Sequence, residues 1–217
     1  MMCGKYLYHL TTEIRVNSLL SDVSGQVHTL KRDEKMKIKK IKKMAIEMLK
    51  EGESILPPQF RLTIDNEIEC IGFNPERFNI FSSKKMPLLL ELPNVDTNAP
   101  PIRTIFKNGD DLRQDMLTIQ AIKLIDEIWK ENDLDLGLTP YTVIGTGFEQ
   151  GFLQFVSDSV TIAEIQYKKS IWNTFSENSI KNFMVNHFKE KLKSNPAKVR
   201  STMEMVHQNF VKSTAGY

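Results

Sequence analysis

The sequence predicts an α+β fold in which an antiparallel sheet is flanked by helical segments. Three observations carry this prediction. Apolar residues recur at helical spacing before residue 50 and again from Asp111 onward. Between Phe60 and Leu92 the apolar runs become short and extended. Residues Asn94 to Pro101 are rich in Asn, Asp and Pro, so Met86–Leu92 and Ile102–Lys107 pair across them as an antiparallel hairpin.

Bulk properties narrow the class. The chain has 217 residues, 41% hydrophobic and 26% charged, which suits a soluble globular protein of one large or two small domains. Its 29 basic and 27 acidic residues give a formal net charge of +2, so nothing global marks a nucleic-acid binder. Cys3 and Cys70 lie far apart, which reads as a reducing compartment without a disulfide. No run of about 18 apolar residues spans a membrane, and the N-terminus lacks a signal peptide's basic and apolar regions. A cytoplasmic protein, peripheral at membranes, is the expectation.

The first segment, from Lys5 to about Leu49, reads as helical. Leu19, Leu20, Val23, Val27 and Leu30 form one stripe, and Ile38, Ile41, Met44, Ala45, Met48 and Leu49 form a second. Lys35, Lys37, Lys39, Lys40, Lys42 and Lys43 lie opposite the second stripe. They make a solvated face, or a contact for anionic lipid headgroups. Gly52 is expected to close the helix, and Pro57-Pro58 to forbid its continuation. Extended runs follow at Arg61–Ile64, Glu67–Ile71, Asn79–Phe81 and Leu88–Leu92, with a polar loop over 81–87.

The central stretch runs from Ile105 to Ile119 and reads as strand, turn, helix. Ile105 and Phe106 end a strand, Asn108-Gly109 makes the turn, and Asp110 or Asp111 caps the helix. Lys107 is the last strand residue before the turn, and Asp115 lies on the helix. A strand lysine beside a helix acid is an arrangement that kinases use to hold nucleotide phosphates. The helix extends to about Asn132 and carries Leu112, Met116, Ile119, Ile122, Ile125 and Trp129 as a stripe expected to pack on the sheet.

Two strands follow, Thr142–Gly145 and Gly151–Val156. The segment between them, Gly145 to Gly151, invites a phosphate-loop reading. Its third glycine comes one residue late for G-x-G-x-x-G and no helix follows, so a hairpin turn is expected. Helical segments come next over Thr161–Gln166, over Ser179 to about Lys193 with Leu192 on its apolar side, and from Pro196 through Val211. An apolar helix that stops at Tyr217 without a polar tail is expected of an incomplete domain. His9, His28, His187 and His207 show no metal-ligand spacing, and no G-x-S-x-G elbow occurs. The Asp33–Glu34 and Asp133–Asp135 pairs read as solvated or capping acids.

Five strings together resemble the kinase domain of the phosphatidylinositol 3-kinase family: IFKNGDDLRQDMLTIQ (Ile105 to Gln120), LDLGLTPY (Leu134 to Tyr141), GFLQFV (Gly151 to Val156), TIAEIQ (Thr161 to Gln166) and FVKSTAGY (Phe210 to Tyr217). FSSKKMPLLLEL (Phe81 to Leu92) is similar to the family's phosphate-binding loop and its following strand. The KNGDDLRQDMLT string points to class I first, and LDLGLTPY with GFLQFV to class III second. The resemblance is dense from Phe81 onward and weak before Phe60.

The resemblance implies a kinase-like N-lobe over 57–156 after an N-terminal helical segment over 1–56, then an incomplete, helical start of the C-lobe over 157–217. It implies ATP and Mg²⁺ as cofactors, with the Mg²⁺ ligands expected beyond Tyr217. Ser83 and Lys85 match the loop that touches the phosphates, and Lys107 the lysine on the α-phosphate. Asp115 and Tyr141 match the inner pocket, Ile105 the adenine pocket and Leu153 the gatekeeper. Gln154, Phe155 and Val156 match the hinge, where backbone groups bind adenine. The implied activity is phosphorylation of the inositol 3-hydroxyl of a membrane phosphoinositide. The implied partners are that membrane surface and a regulatory subunit, with no nucleic acid.

Two departures stand out. Leu89 replaces a tryptophan found in many members, which changes the shape expected beside the phosphate loop, and Thr214 replaces a common cysteine. The family's G-D-R-H-x-x-N and D-F-G segments do not occur in the sequence. Three alternatives stay open: a truncated non-catalytic chain or binding module, a phosphatidylinositol 4-kinase, and a related protein kinase. With the catalytic loop absent, these 217 residues alone are expected to transfer no phosphate to phosphoinositide vesicles. Labelled-ATP transfer assays check this, and Lys107-dependent turnover by the purified chain would overturn it.

Overall fold

The computed structural model describes residues 2–32, 36–167, 179–191 and 196–217. Asp33, Glu34, Lys35 and Leu192 lie outside the described residues. The chain divides into two compact units, one of residues 1–121 and 141–155, the other of residues 122–140 and 156–217.

The first unit starts with α1 (Met2–Arg32) and α2 (Ile38–Glu53). These are two helices where the periodicity predicts one continuous segment. α1 buries Val16, Leu20, Val23 and Val27, and α2 buries Ile41, Ala45 and Leu49, each set at helical spacing. Gly52 does not close α2. It lies inside the helix, where an added Cβ would meet the Leu19 side chain at 2.2 Å, so it is the point of close approach to α1. The helix ends at Ser54, whose hydroxyl donates to the Glu51 carbonyl at 2.6 Å, just ahead of Pro57.

Strands β1 (Phe60–Leu62) and β2 (Asp65–Cys70) form a two-stranded antiparallel ribbon with an irregularity at Arg61/Leu62. Cys70 is fully buried, and its thiol donates to the Phe60 carbonyl at 3.1 Å. Burial pushes its pKa up to about 12, which keeps it protonated and chemically quiet.

Five further strands, β3 (Asn79–Ile80), β4 (Leu88–Leu92), β5 (Ile102–Asn108), β6 (Val143–Gly147) and β7 (Gln150–Gln154), make an antiparallel sheet in the order β3-β4-β5-β7-β6. One face of this sheet shares a core with α1, α2 and the ribbon. The row Leu88, Phe106, Phe152 runs across it in register, with the two rings 5.1 Å apart and tilted. The helices over 1–56 and the strands therefore bury a single apolar core.

The β6–β7 connection is a two-residue hairpin loop, with Glu149 at φ 51. The backbones pack closely there, because a Cβ on Gly151 would sit 2.1 Å from the Ile144 carbonyl oxygen. Helix α3 (Arg113–Glu131) follows β5. Its expected stripe is buried only in part: Leu112 and Ile119 are buried, but Ile125 is 42% exposed, and Leu124 and Ile128 are exposed as well. The apolar residues spread around the helix beyond one stripe, and past Ala121 the helix belongs to the second unit.

The second unit also holds α4 (Ile162–Tyr167), α5 (Ser179–Lys191) and α6 (Pro196–Gly216). Thr161 and Glu164 form a reciprocal cap at the start of α4, both bonds 3.1 Å. The end of α6 lies against the connection before β6. Gly216 approaches Leu136 and Leu138, and the Tyr217 hydroxyl accepts the Thr139 N–H at 3.1 Å.

Two glycines should respond in opposite directions to alanine. Gly151→Ala is expected to destabilise by about 1–3 kcal/mol, because the new methyl meets fixed backbone. Gly25→Ala, inside α1 with open space around it, is expected to stabilise by about 0.5–1 kcal/mol. Denaturant unfolding of the two variants measures both.

Candidate functional site

Strand β5 sorts its side chains by alternation. Thr104 and Phe106 point into the core and are fully buried, while Arg103, Ile105 and Lys107 stand half-buried on the opposite face. Pairing then sets their neighbours. Leu89 pairs with Ile105, Ile105 with Leu153, and Leu153 with Val143. Directly opposed residues present their side chains to the same face. Leu89, Ile105, Leu153 and Val143 therefore form one apolar row across four strands.

The rows on either side differ sharply. On one side Lys107 pairs with Gly151, and Gly151 with Gly145, so the lysine is the one strand side chain in that row, and Leu112 and Met116 pack against the two glycines. On the other side Glu91 pairs with Arg103. The Arg103 guanidinium lies 4.1 Å from the Phe155 ring centroid and its Nε 3.5 Å from Glu91 Oε2. This face is an apolar strip with a cation at one end, beside two glycines covered by Leu112 and Met116. Such a surface suits a flat aromatic base that carries an anionic chain.

A second cation joins Lys107. Lys107 Nζ lies 3.5 Å from Asp110 Oδ2, and Lys85 Nζ lies 3.8 Å from Asp110 Oδ1. Lys85 also donates to the Gly109 carbonyl. Two ammonium groups thus share one carboxylate and leave a positive charge in excess. Gly109 has φ +88, a conformation that favours glycine, and it bends the chain so that Asp110 faces back toward the strand lysine. The N–H groups of Gly109 and Asp110 both donate to the Glu149 carbonyl, at 2.7 and 3.0 Å. The β5–α3 turn is thereby tied to the tip of the β6–β7 hairpin.

Helix α3 is anchored at its start. Asp111 Oδ1 accepts the Arg113 N–H at 3.1 Å, and its carboxylate takes the Arg113 guanidinium through both oxygens. Those bonds, the side-chain ones foremost, hold its pKa near 2. Further along, Met116 Sδ accepts the Gly145 N–H at 3.0 Å.

The expected site residues are placed as follows. Ser83 is exposed in the 81–87 turn, where its N–H donates to the Phe81 carbonyl at 2.9 Å. Lys85 and Lys107 meet at Asp110, and Ile105 and Leu153 lie in the apolar row. Asp115 is exposed on the first turn of α3 and makes no ion pair with Lys107, whose partner is Asp110. Tyr141 is half-buried just ahead of β6. Gln154 ends β7 and is exposed, Phe155 lies against Arg103, and Val156 falls in the second unit.

Asp110 as the shared acid, Val143 in the apolar row and the Glu149 carbonyl are absent from the sequence-level site. Register would have supplied the row, because pairing the β4–β5 and β6–β7 hairpins places Leu89 and Val143 beside Ile105 and Leu153.

Comparison with known proteins gives the family. A family model for phosphatidylinositol 3- and 4-kinase matches residues 101–217. The chain is 34% identical over 218 residues to phosphatidylinositol 3-kinase 1 of Dictyostelium discoideum, covering 99% of this chain and 13% of that protein. It is 37% identical over 172 residues to phosphatidylinositol 3-kinase 2 of the same organism, covering 78% and 9%. It is 34% identical over 153 residues to the human phosphatidylinositol 3-kinase C2 domain-containing subunit gamma, covering 70% and 10%. The chain thus spans 13% or less of the length of these relatives. It belongs to the phosphatidylinositol 3- and 4-kinase family.

Proposed function

We propose that this chain supplies the ATP-binding part of a phosphatidylinositol 3-kinase domain, which phosphorylates the inositol 3-hydroxyl of membrane phosphoinositides. The observation that carries the reading is the apolar row Leu89–Ile105–Leu153 lying next to the Lys107–Gly151–Gly145 row. The apolar row receives the adenine ring. Lys107 with Lys85 faces the phosphate oxygens. Ser83, on the 81–87 loop with Lys85, meets the same phosphates. Bound ATP supplies the phosphoryl group. Gln154, Phe155 and Val156 act as the hinge, and Asp115 and Tyr141 serve the inner pocket once nucleotide is present.

Among the described residues no three His, Cys, Asp or Glu side chains gather to hold a metal ion. The lipid side of the proposal rests on α2. Lys37, Lys39, Lys40 and Lys43 are exposed, while Lys42 donates to Asn79 Oδ1 at 3.4 Å. Among the described residues no helix is long and apolar enough to cross a membrane. An anionic bilayer surface met from the cytoplasmic side is the partner that such a face suits.

Lys107→Ala is expected to weaken ATP binding roughly 10- to 100-fold, the loss of one charge-assisted contact to phosphate, with little change in melting temperature. Titration with ATP measures this, and undiminished affinity would sink the assignment. Asp110→Asn should act the other way on phosphate. It removes the carboxylate that the lysines share, so affinity for inorganic tripolyphosphate at low salt should rise about two- to fivefold and fall back as salt is added. An unchanged affinity would mean that these lysines do not face phosphate.

A further inference from the structure

The end of β7 departs from a regular ladder, and the departure involves a side chain. Thr142 and Gln154 continue the β6–β7 register, since Val143 pairs with Leu153. The Gln154 N–H donates to the Thr142 carbonyl at 2.8 Å, as a hydrogen-bonded antiparallel pair requires. The return bond is different. The Thr142 N–H donates to Gln154 Oε1 at 3.0 Å, and the main-chain carbonyl of Gln154 is passed over.

Two neighbouring groups are engaged. The Leu153 carbonyl accepts the Thr104 hydroxyl at 2.9 Å, and the Phe155 N–H donates to the Arg103 carbonyl at 3.1 Å. Thr104 pairs with Gln154 as a non-hydrogen-bonded pair, because the bond from the Phe155 N–H to the Arg103 carbonyl fixes the alternation along β5 and β7. No N–H or O–H among the described residues therefore donates to the Gln154 carbonyl. Its residue is exposed, one position beyond the apolar row.

We infer that Gln154 is a positioning residue for base recognition. Its side-chain oxygen takes the ladder bond from Thr142, and this keeps its own carbonyl open to accept the 6-amino group of adenine. The inference rests on the proposed nucleotide site and adds to it a reason for the residue type. A hydrophobic residue at 154 has no Oε1. The Thr142 N–H would then fall back on the main-chain carbonyl and turn it into the ladder, where the ligand's amino group must compete for it. Glutamate carries an equivalent oxygen and would do the same work as glutamine. The family relation explains neither outcome by itself, since recognition through backbone is indifferent to side chain unless the side chain controls the backbone.

The test compares ATP with purine riboside 5′-triphosphate, which lacks the 6-amino donor, on the full chain and three variants. The wild type should favour ATP by about 2- to 10-fold, the span of one neutral hydrogen bond. Gln154→Leu should bring that ratio close to one by weakening ATP alone, leaving purine riboside triphosphate where it was. Gln154→Glu should restore the preference. Lys107→Ala should weaken both nucleotides alike and keep the ratio.

A Gln154→Leu variant that keeps the wild-type ratio overturns the inference. So does one that loses both nucleotides equally, and so does a failure of Gln154→Glu to restore the preference. In all three cases Lys107-dependent ATP binding by the wild type leaves the nucleotide site standing. Absent or Lys107-independent binding by the wild type removes the site and this inference together. Circular dichroism melting of each variant separates a lost preference from a lost fold.

Discussion

Strand β5 is hydrogen-bonded along both edges, and its period of two governs both the core and the site. Phe106 lies between Leu88 and Phe152 in the core, and its two neighbours, Ile105 and Lys107, are thereby forced to the other face. A slip of one residue would carry Lys107 inward and Phe106 outward. The cost of burying an unpaired ammonium forbids that slip. The same packing that stabilises the first unit therefore aims the lysine, and no separate device is needed to hold it.

Around that strand the structure spends charge sparingly. Lys85 and Lys107 come from different loops and strands yet meet at one carboxylate, Asp110. The pairing leaves two cations close together without the full repulsion they would feel alone. Arg103 is handled in the same manner, between Glu91 and the face of Phe155. The apolar row is thus bounded on both sides by cations that already have partners. A polyanion would meet an arrangement held ready by the fold, with little ordering left to do.

Much of this was legible in the sequence, for identifiable reasons. Strands β4, β5, β6 and β7 were readable because short β-branched and aliphatic runs stand between strong turn signals such as Asn108-Gly109. The hairpin reading of Gly145–Gly151 holds because the third glycine is needed for close backbone packing, where Gly151 meets Ile144. The helix boundaries were less readable. Gly52 looked like a terminator, but its use is contact with Leu19, a tertiary fact that no local pattern carries. The partial burial of α3 has the same cause, since a stripe shows which residues are apolar and not what covers them. Local pattern offers Asp110 only as a cap, because its approach to two lysines depends on the positive φ of Gly109 and on Lys85 from the loop ahead of β4. The substitution of a side-chain oxygen for a carbonyl at Gln154 is invisible to any pattern of residue types.

The Glu149 carbonyl accepts two N–H groups at once, from Gly109 and Asp110. Hairpin tips are ordinarily where chains drift in length, because little depends on them. Here the tip works as a length gauge. One residue more or fewer between Gly147 and Gln150 would move that oxygen off the turn that carries Asp110, although Phe148 beside it is 86% exposed and free to vary in kind. Variation across this family at the tip should therefore run through residue identity and avoid insertion or deletion.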